Sequence, residues 1–172
     1  TAGMTVVGDG DVPTAAYQTT NDRCECGGRA APFRGRIRDD PDAGFRPAGD
    51  RYHLYVCNAC PWAHRTLVTR ALKGLEDAIS VDVVDPFRDE GGWQFTPEKD
   101  GCTVDSVGAA DYLRERYQQA DPEMTGRVTV PVLWDPQENT IVNNESEETM
   151  RMLDTEMHAY APRHVHLQPA GY

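Results

Sequence analysis

The stretch from Tyr52 to Val84 constrains the fold more than any other part of the chain. A short apolar run, an amphipathic stretch and a second apolar run follow one another there with clear punctuation. Tyr52-His53-Leu54-Tyr55-Val56 has the length and composition of a buried strand. Pro61 is the residue type favoured at the first helical position, and Ala63, Leu67, Val68, Ala71 and Leu72 recur at helical spacing until Gly74. This predicts a helix over 61–73 with Gly74 as its stop. Ile79 to Val84 reads as the next strand. The helix between two strands is a crossover, so the strands are expected to be parallel and the connection right-handed. Cys60 then falls at the helix N-terminus, where unpaired N–H groups and the positive end of the helix dipole favour a thiolate, the nucleophilic form of cysteine. A buried structural thiol is the alternative, since free cysteine is among the most buried residue types.

After the second strand comes a long connection carrying Gly91-Gly92-Trp93 and Cys102. Val107, Ala110, Tyr112, Leu113 and Tyr117 then predict a helix within 104–119, broken by Asp121-Pro122. Val128 to Trp134 and Thr140 to Val142 read as a hairpin. A last helix is expected near Asn144, with Asn144 and Glu147 as a capping box and Met150, Leu153 and Met157 as the apolar face. Residues 1–50, rich in Gly, Pro, Asp and Arg, read as an irregular arm anchored by Phe33, Ile37 and Phe45. Residues 51–160 form the folded unit, and residues 161–172, with Pro162, Pro169 and Gly171, read as a linker-like tail. The order βαβ, helix, β-hairpin, helix, with a thiol after the first strand, is that of an α/β thioredoxin-like fold.

With 172 residues the chain suffices for one domain with a sizeable core. Its 17 Lys and Arg against 28 Asp and Glu give a formal charge of −11, and its only lysines are Lys73 and Lys99. Such a surface repels phosphate backbones and anionic membranes, so neither nucleic acid nor lipid is an expected partner. Arginine in place of lysine, beside so many carboxylates, suits a protein adapted to high salt, and equally an ordinary acidic one. No apolar run has the length of a membrane span and the start lacks a signal-peptide pattern, from which a cytoplasmic protein is expected.

The five cysteines, Cys24, Cys26, Cys57, Cys60 and Cys102, are an odd number, which favours reduced thiols over a disulfide framework. Two close pairs, Cys24 with Cys26 and Cys57 with Cys60, leave a structural zinc site as a rival reading, although the spacing is poor for one. Cys57-x-x-Cys60 has the spacing of a dithiol redox motif, but Cys60 occupies the nucleophile position and Ala63 stands where the helix-borne resolving thiol would be. The site therefore reads as monothiol, with a Cys57–Cys60 disulfide as an alternative off-state.

Several long motifs carry a family resemblance. They are Arg51 to Val56, Ala59 to Leu67, Gly92-Trp93, Gly126 to Asp135 and Ile141 to Ser146. Together, over about 33–153, they resemble the glutathionyl-hydroquinone reductases, the Xi class of glutathione transferases; Cys57 departs from that pattern. The resemblance implies that Cys60 attacks the sulfur of a glutathionyl-hydroquinone and that a second thiol molecule resolves the resulting mixed disulfide, without a metal. It implies a cis bond at Val130-Pro131, where Val130 pairs with the cysteinyl backbone of a peptide thiol. Glu145 and Ser146 would hold the γ-glutamyl end, Trp93 would cover the thiol, and Arg127 would meet its far carboxylate. His64 and Arg65 would add positive potential. The thiol is expected to be glutathione or γ-glutamylcysteine. Members of the family continue into a helical domain that this chain does not contain. An apolar patch on the last helix and on the helix after Cys60 is therefore expected, with self-association or a separate helical partner. A non-catalytic thiol-binding or subunit-interaction module is the other reading.

Overall fold

The computed structural model describes residues 31–168. The elements are β1 (Tyr52–Val56), α1 (Pro61–Lys73), β2 (Ile79–Val83), α2 (Leu113–Ala120), β3 (Val132–Asp135), β4 (Thr140–Asn143) and α3 (Ser146–Thr155). The four strands form one sheet in the order β2-β1-β3-β4. β1 and β2 run parallel, as a crossover through α1 requires, and β1–β3 and β3–β4 are antiparallel. This is the thioredoxin-like arrangement expected from the order of elements. All of β1 is buried, as befits a central strand, and Arg51 at its start pairs with the buried Asp135 of β3 at 2.6 Å.

The bounds of β1 and α1 coincide with those read from the sequence, because their signals are local. Gly74 ends α1 at φ 72, a left-handed conformation that glycine adopts without a Cβ penalty. The face that α1 buries is another matter. Val68 and Leu72, placed in the apolar stripe, are 41% and 48% exposed, and Ala71 is exposed too. The buried positions are Ala63, Thr66, Thr69 and Lys73. Thr66 and Thr69 go inside because their hydroxyls donate to the helix's own carbonyls, of Ala63 at 2.7 Å and Arg65 at 3.0 Å. Lys73 goes inside because Asp154 of α3 waits for it, with Nζ 3.0 Å from Oδ1 and 2.8 Å from the Asp154 carbonyl. Hydropathy spacing alone cannot register such internal satisfaction.

The helix predicted within 104–119 is confined to Leu113–Ala120. Upstream of it the backbone turns around the buried Asp105, whose carboxylate accepts the N–H groups of Val107, Gly108 and Ala110, the Tyr55 hydroxyl and Arg116 Nε. A carboxylate that captures successive backbone donors competes with helix formation. Ala109 at φ 56 completes the turn.

The last helix also differs from expectation at its start. Glu145, not Asn144, is the N-cap, and the Glu145 carboxylate accepts the Glu147 N–H. Leu153 and Met157 are fully buried and Met150 half-buried, so the apolar face of α3 points inward and supplies no exposed patch. The exposed apolar side chains of the helices are instead on α1: Trp62, Val68 and Leu72.

Residues 31–50 are irregular and lie against the sheet and α3. Ile37 is 1% exposed and Phe33 and Phe45 pack beside the core, which agrees with their reading as anchors. Arg34 and Arg36 reach Glu148 of α3 at 2.5 and 3.2 Å. The Arg34 hydrogen bonds, helped by Asn143 and Arg36, hold the Glu148 carboxyl down at about 2 despite partial burial. At the other end, the segment read as a linker is hydrogen-bonded to the domain as far as residue 168, with most of its residues exposed. Lys73 Nζ donates to the Val165 carbonyl at 2.6 Å, and the Leu167 and Gln168 N–H groups donate to Asp154.

Candidate active site

Contacts between α1 and α3 set the site. Arg65 near the start of α1 reaches Ser146 at the start of α3, and Lys73 at the end of α1 reaches Asp154 near the end of α3. The two helices therefore run side by side in the same direction, with their positive N-terminal ends together. Anionic groups are favoured in the space those ends share.

Cys60 is the N-cap of α1, with extended backbone (φ −94, ψ 115), and its carbonyl accepts the His64 N–H at 2.9 Å. The first turn of α1 carries no acidic residue, so nothing on this helix offsets the positive end beside the thiol. The Cys60 side chain is half-buried, and its Sγ lies 3.7 Å from the Val130 carbonyl oxygen. The Val130–Pro131 peptide is cis, as the resemblance implied, and both residues are buried. The structure thus brings Cys60, Val130 and Pro131 together.

Glu145 and Ser146 occupy the N-cap and first position of α3, on the same side as Arg65. Arg65 Nε donates to Ser146 Oγ at 2.9 Å, its Nη2 donates to the same oxygen, and Nη2 lies 3.7 Å from the Glu145 carboxylate. The Arg65 guanidinium also stacks over the exposed Trp62 ring, 4.9 Å from its centroid. The sequence points to Arg65 only as a source of positive potential; its direct hold on both α3 residues has no sequence signal, because the contact with Ser146 spans 81 positions.

Asn144 and Tyr117, which the sequence marks only as a helix cap and as an apolar helix position, fix the backbone around Val130. The Asn144 amide donates to the Tyr117 hydroxyl at 3.1 Å and to Thr129 Oγ1 at 3.3 Å, while its oxygen accepts the Phe33 N–H. The buried Tyr117 hydroxyl donates to the Thr129 carbonyl at 2.8 Å and accepts the Thr129 N–H at 3.2 Å. Burial raises the Tyr117 phenol above its ordinary range, so it remains a donor. The start of α3 and the residue before Val130 are thereby tied through one phenol.

Trp93 is half-buried in the loop after β2, with the Arg88 guanidinium 4.9 Å over its ring. It lines an open pocket of about 540 Å³ together with Arg88, Gly92, Arg114 and Val128. Val128 precedes Val130 by two residues, which places this pocket on the segment leading to the thiol. Arg127 is exposed and, among the described residues, makes no hydrogen bond or ion pair. Cys57, at the end of β1, is fully buried; burial pushes its thiol up, against the opposing pull of the Ala59 and Cys60 N–H groups. Cys24 and Cys26, the other half of the zinc reading, lie outside the described residues. Among those described, no cluster of His, Cys, Asp and Glu is arranged to hold a metal ion.

With this geometry in view, residues 59–156 match the family model for the glutathione S-transferase N-terminal domain. A glutathionyl-hydroquinone reductase of Sphingobium chlorophenolicum is 52% identical over 129 residues, which are 75% of this chain and 41% of that protein. A Xi-class glutathione transferase structure from Natrialba magadii superposes with a TM-score of 0.81 at 65% identity, covering 87% of this chain and 47% of that one. The glutathione-bound structure of YqjG, a glutathione transferase homologue from Escherichia coli, superposes with a TM-score of 0.72 at 49% identity, covering 75% and 44%. The chain thus spans less than half the length of each of these three relatives. A cysteine-tipped helix, a cis-proline turn and a second helix N-terminus, arranged on this sheet and matched over more than half of the chain, mean that the chain belongs to the glutathione S-transferase N-terminal-domain family.

Proposed function

We propose that this chain is the thiol-handling part of a glutathione-dependent reductase, with Cys60 as its nucleophile. The observation that carries this reading is the position of Cys60: at the tip of α1, 3.7 Å from the Val130 carbonyl, with the N-terminus of α3 beside its helix. The Cys60 thiolate attacks the sulfur of a glutathionyl-hydroquinone. The bond between that sulfur and the ring carbon breaks, the carbon keeps the electron pair and takes a proton, and glutathione remains on Cys60 as a mixed disulfide. A second thiol molecule then attacks, leaves as a disulfide with the first, and frees the Cys60 thiolate.

Glu145 and Ser146 are proposed to bind the γ-glutamyl end, the carboxylate at Ser146 and the α3 N-terminus, the ammonium at Glu145. In this reading Arg65 shifts from Ser146 to the incoming carboxylate or stays as its counter-charge. Val130 pairs with the cysteinyl backbone, Trp93 covers it, and Arg127 meets the far carboxylate. A bound glutathione in the Escherichia coli relative supports that thiol. The residues nearest Cys60 address only the γ-glutamyl and cysteinyl parts, so γ-glutamylcysteine suits them as well.

The exposed Trp62, Val68 and Leu72 face of α1 is proposed to meet a helical partner or a second copy, which would complete the hydroquinone pocket. The excess of carboxylates is proposed as an adaptation to high salt. Light scattering in high and low salt, beside turnover of a glutathionylated quinol by the chain and by Cys60→Ser, tests these statements. Equal turnover by both proteins overturns the nucleophile, a Cys60 that reacts with no thiol or disulfide leaves the non-catalytic thiol-binding module, and stoichiometric zinc whose removal unfolds the chain favours the structural reading instead.

A further inference from the structure

The nucleophile reading leaves Cys57 unused, yet the turn that delivers Cys60 to the tip of α1 also folds Cys57 back against it. The Cys60 N–H donates to the Cys57 carbonyl at 3.0 Å, closing a four-residue turn across Asn58 and Ala59. A turn of this kind keeps its end Cα atoms within about 7 Å, inside or next to the span of about 4.4 to 6.8 Å that a disulfide needs. Cys57 belongs to the buried core beneath the turn, three residues before the residue bearing the nucleophile. Cys57 is fully buried and Cys60 half-buried, an inner and an outer thiol on one short loop. A third thiol, Cys102, is held near this turn by the Asn58 side chain, which donates to the Gly101 carbonyl at 3.2 Å.

We infer that Cys57 is a built-in resolving thiol, which attacks the mixed disulfide on Cys60, expels glutathione and leaves a Cys57–Cys60 disulfide. The inference rests on Cys60 being the nucleophile. In the step, Cys57 loses its proton and its sulfur bonds to Cys60 Sγ. The bond between Cys60 Sγ and the glutathionyl sulfur breaks, and glutathione leaves as a thiolate that takes up the proton. No electrons are gained or lost overall. Two molecules of a low-molecular-weight thiol then reduce the Cys57–Cys60 bond, are themselves joined as a disulfide, and restore both cysteines.

Burial suits Cys57 to this order of events. A high thiol pKa and an inner position keep it from attacking outside substrates. Once Cys60 carries glutathione, the fixed proximity of the two residues outruns a second molecule from solution when free thiol is scarce. While the internal bond stands, Cys60 is turned inward and cannot attack, so the cycle restarts only when reducing thiol is available.

The test follows the whole chain after mixing with oxidised glutathione at neutral pH, with acid quenching and intact-mass measurement, and peptide mapping of any disulfide. In the wild-type chain the glutathionyl adduct on Cys60 is expected to rise and then give way to a species lacking two hydrogens, mapped to Cys57–Cys60. In Cys57→Ser the adduct is expected to last at least about tenfold longer. Because Cys57 is buried, Cys57→Ala is measured beside it, and the wild-type disulfide map decides even if neither variant folds. Cys102→Ser is expected to behave as the wild type. An adduct on Cys60 that persists equally with and without Cys57, or a disulfide that maps to Cys102, overturns the resolving role alone. Absence of any adduct on Cys60 overturns the nucleophile reading beneath it.

Discussion

The two ends of the α1–α3 pair are built in opposite ways. At the C-terminal end, Lys73 and Asp154 are both buried, and every strong group there has a partner. Lys73 Nζ meets Asp154, its carbonyl, the Val165 carbonyl and, at 3.3 Å, His158 Nδ1, while Asp154 also takes two backbone N–H groups. At the N-terminal end, Cys60, Arg65 and Glu145 are all partly exposed, so a thiol, a guanidinium and a carboxylate stay open to solvent there. A buried end whose charges are all paired fixes how the helices lie. The unsaturated end can then hold its groups ready at little cost in stability, which is how sites are placed on rigid scaffolds.

The sharpest way to break this contrast is at the thiol itself. Cys60→Ser is expected to lower glutathione-dependent transfer by about three orders of magnitude or more, with unfolding by urea almost unchanged, as when a nucleophile is removed from a preserved scaffold. Transfer assays beside urea titration check it, and a joint fall in both would mean that the N-terminal end carries stability after all.

At the other end the expectation reverses. Lys73→Met leaves Asp154 buried without its cation and is expected to cost about 3–5 kcal/mol in urea unfolding, while the folded fraction still reacts at Cys60 with its normal rate. Burial alone would push the Asp154 carboxyl up, but the hydrogen bonds from Lys73, Leu167 and Gln168 bring it below its ordinary range. Asp154→Asn is therefore expected to be destabilising as well.

Glu145→Ala and Ser146→Ala sharpen the comparison further. Each is expected to weaken glutathione binding in calorimetric titration by about 1.5–3 kcal/mol, or roughly 10- to 150-fold. Glu145→Ala is expected to cost about 1 kcal/mol or less of stability, the ordinary worth of a helix cap, and Ser146→Ala about 1 kcal/mol for the hydrogen bond that Arg65 loses. Unchanged affinity in both variants would remove the proposed carboxylate site.

The smallest effect concerns residues 31–50. Glu148, held at about 2 against a usual 4.5, is stabilised in its charged form by Arg34. Its folded value lies below its unfolded one, so the contribution is complete above about pH 4.5 and is lost as the pH falls towards 2. Since Arg34 is about half exposed, solvent screening limits the gain to about 1–2 kcal/mol. Urea titrations at neutral pH and near pH 3 should show a larger acid-induced loss in the wild type than in Arg34→Ala.

What the sequence disclosed divides along the same line. The strand, Cys-Pro, helix and glycine stop are local signals, so β1, α1 and the position of Cys60 were legible. Val130-Pro131 and Glu145-Ser146 became legible through the family motifs. The buried face of α1 was misread because two threonines and a lysine are satisfied inside by partners that hydropathy does not see. The segment before α2 was misread because Asp105 gathers backbone donors that a helix would have used. Asn144 looked like a cap, yet its amide spans to Tyr117 and Thr129, a long-range role that no spacing announces.

Competitive alkylation with a limiting reagent at mildly acidic pH, followed by peptide mapping, compares all five thiols in one sample. A thiol placed at the joint positive end of two helices should be labelled first, so Cys60 is expected to carry nearly all of the early label, and bound glutathione to protect it. Earlier labelling of Cys24, Cys57 or Cys102 would contradict the assignment of the open end of the α1–α3 pair as the reactive site.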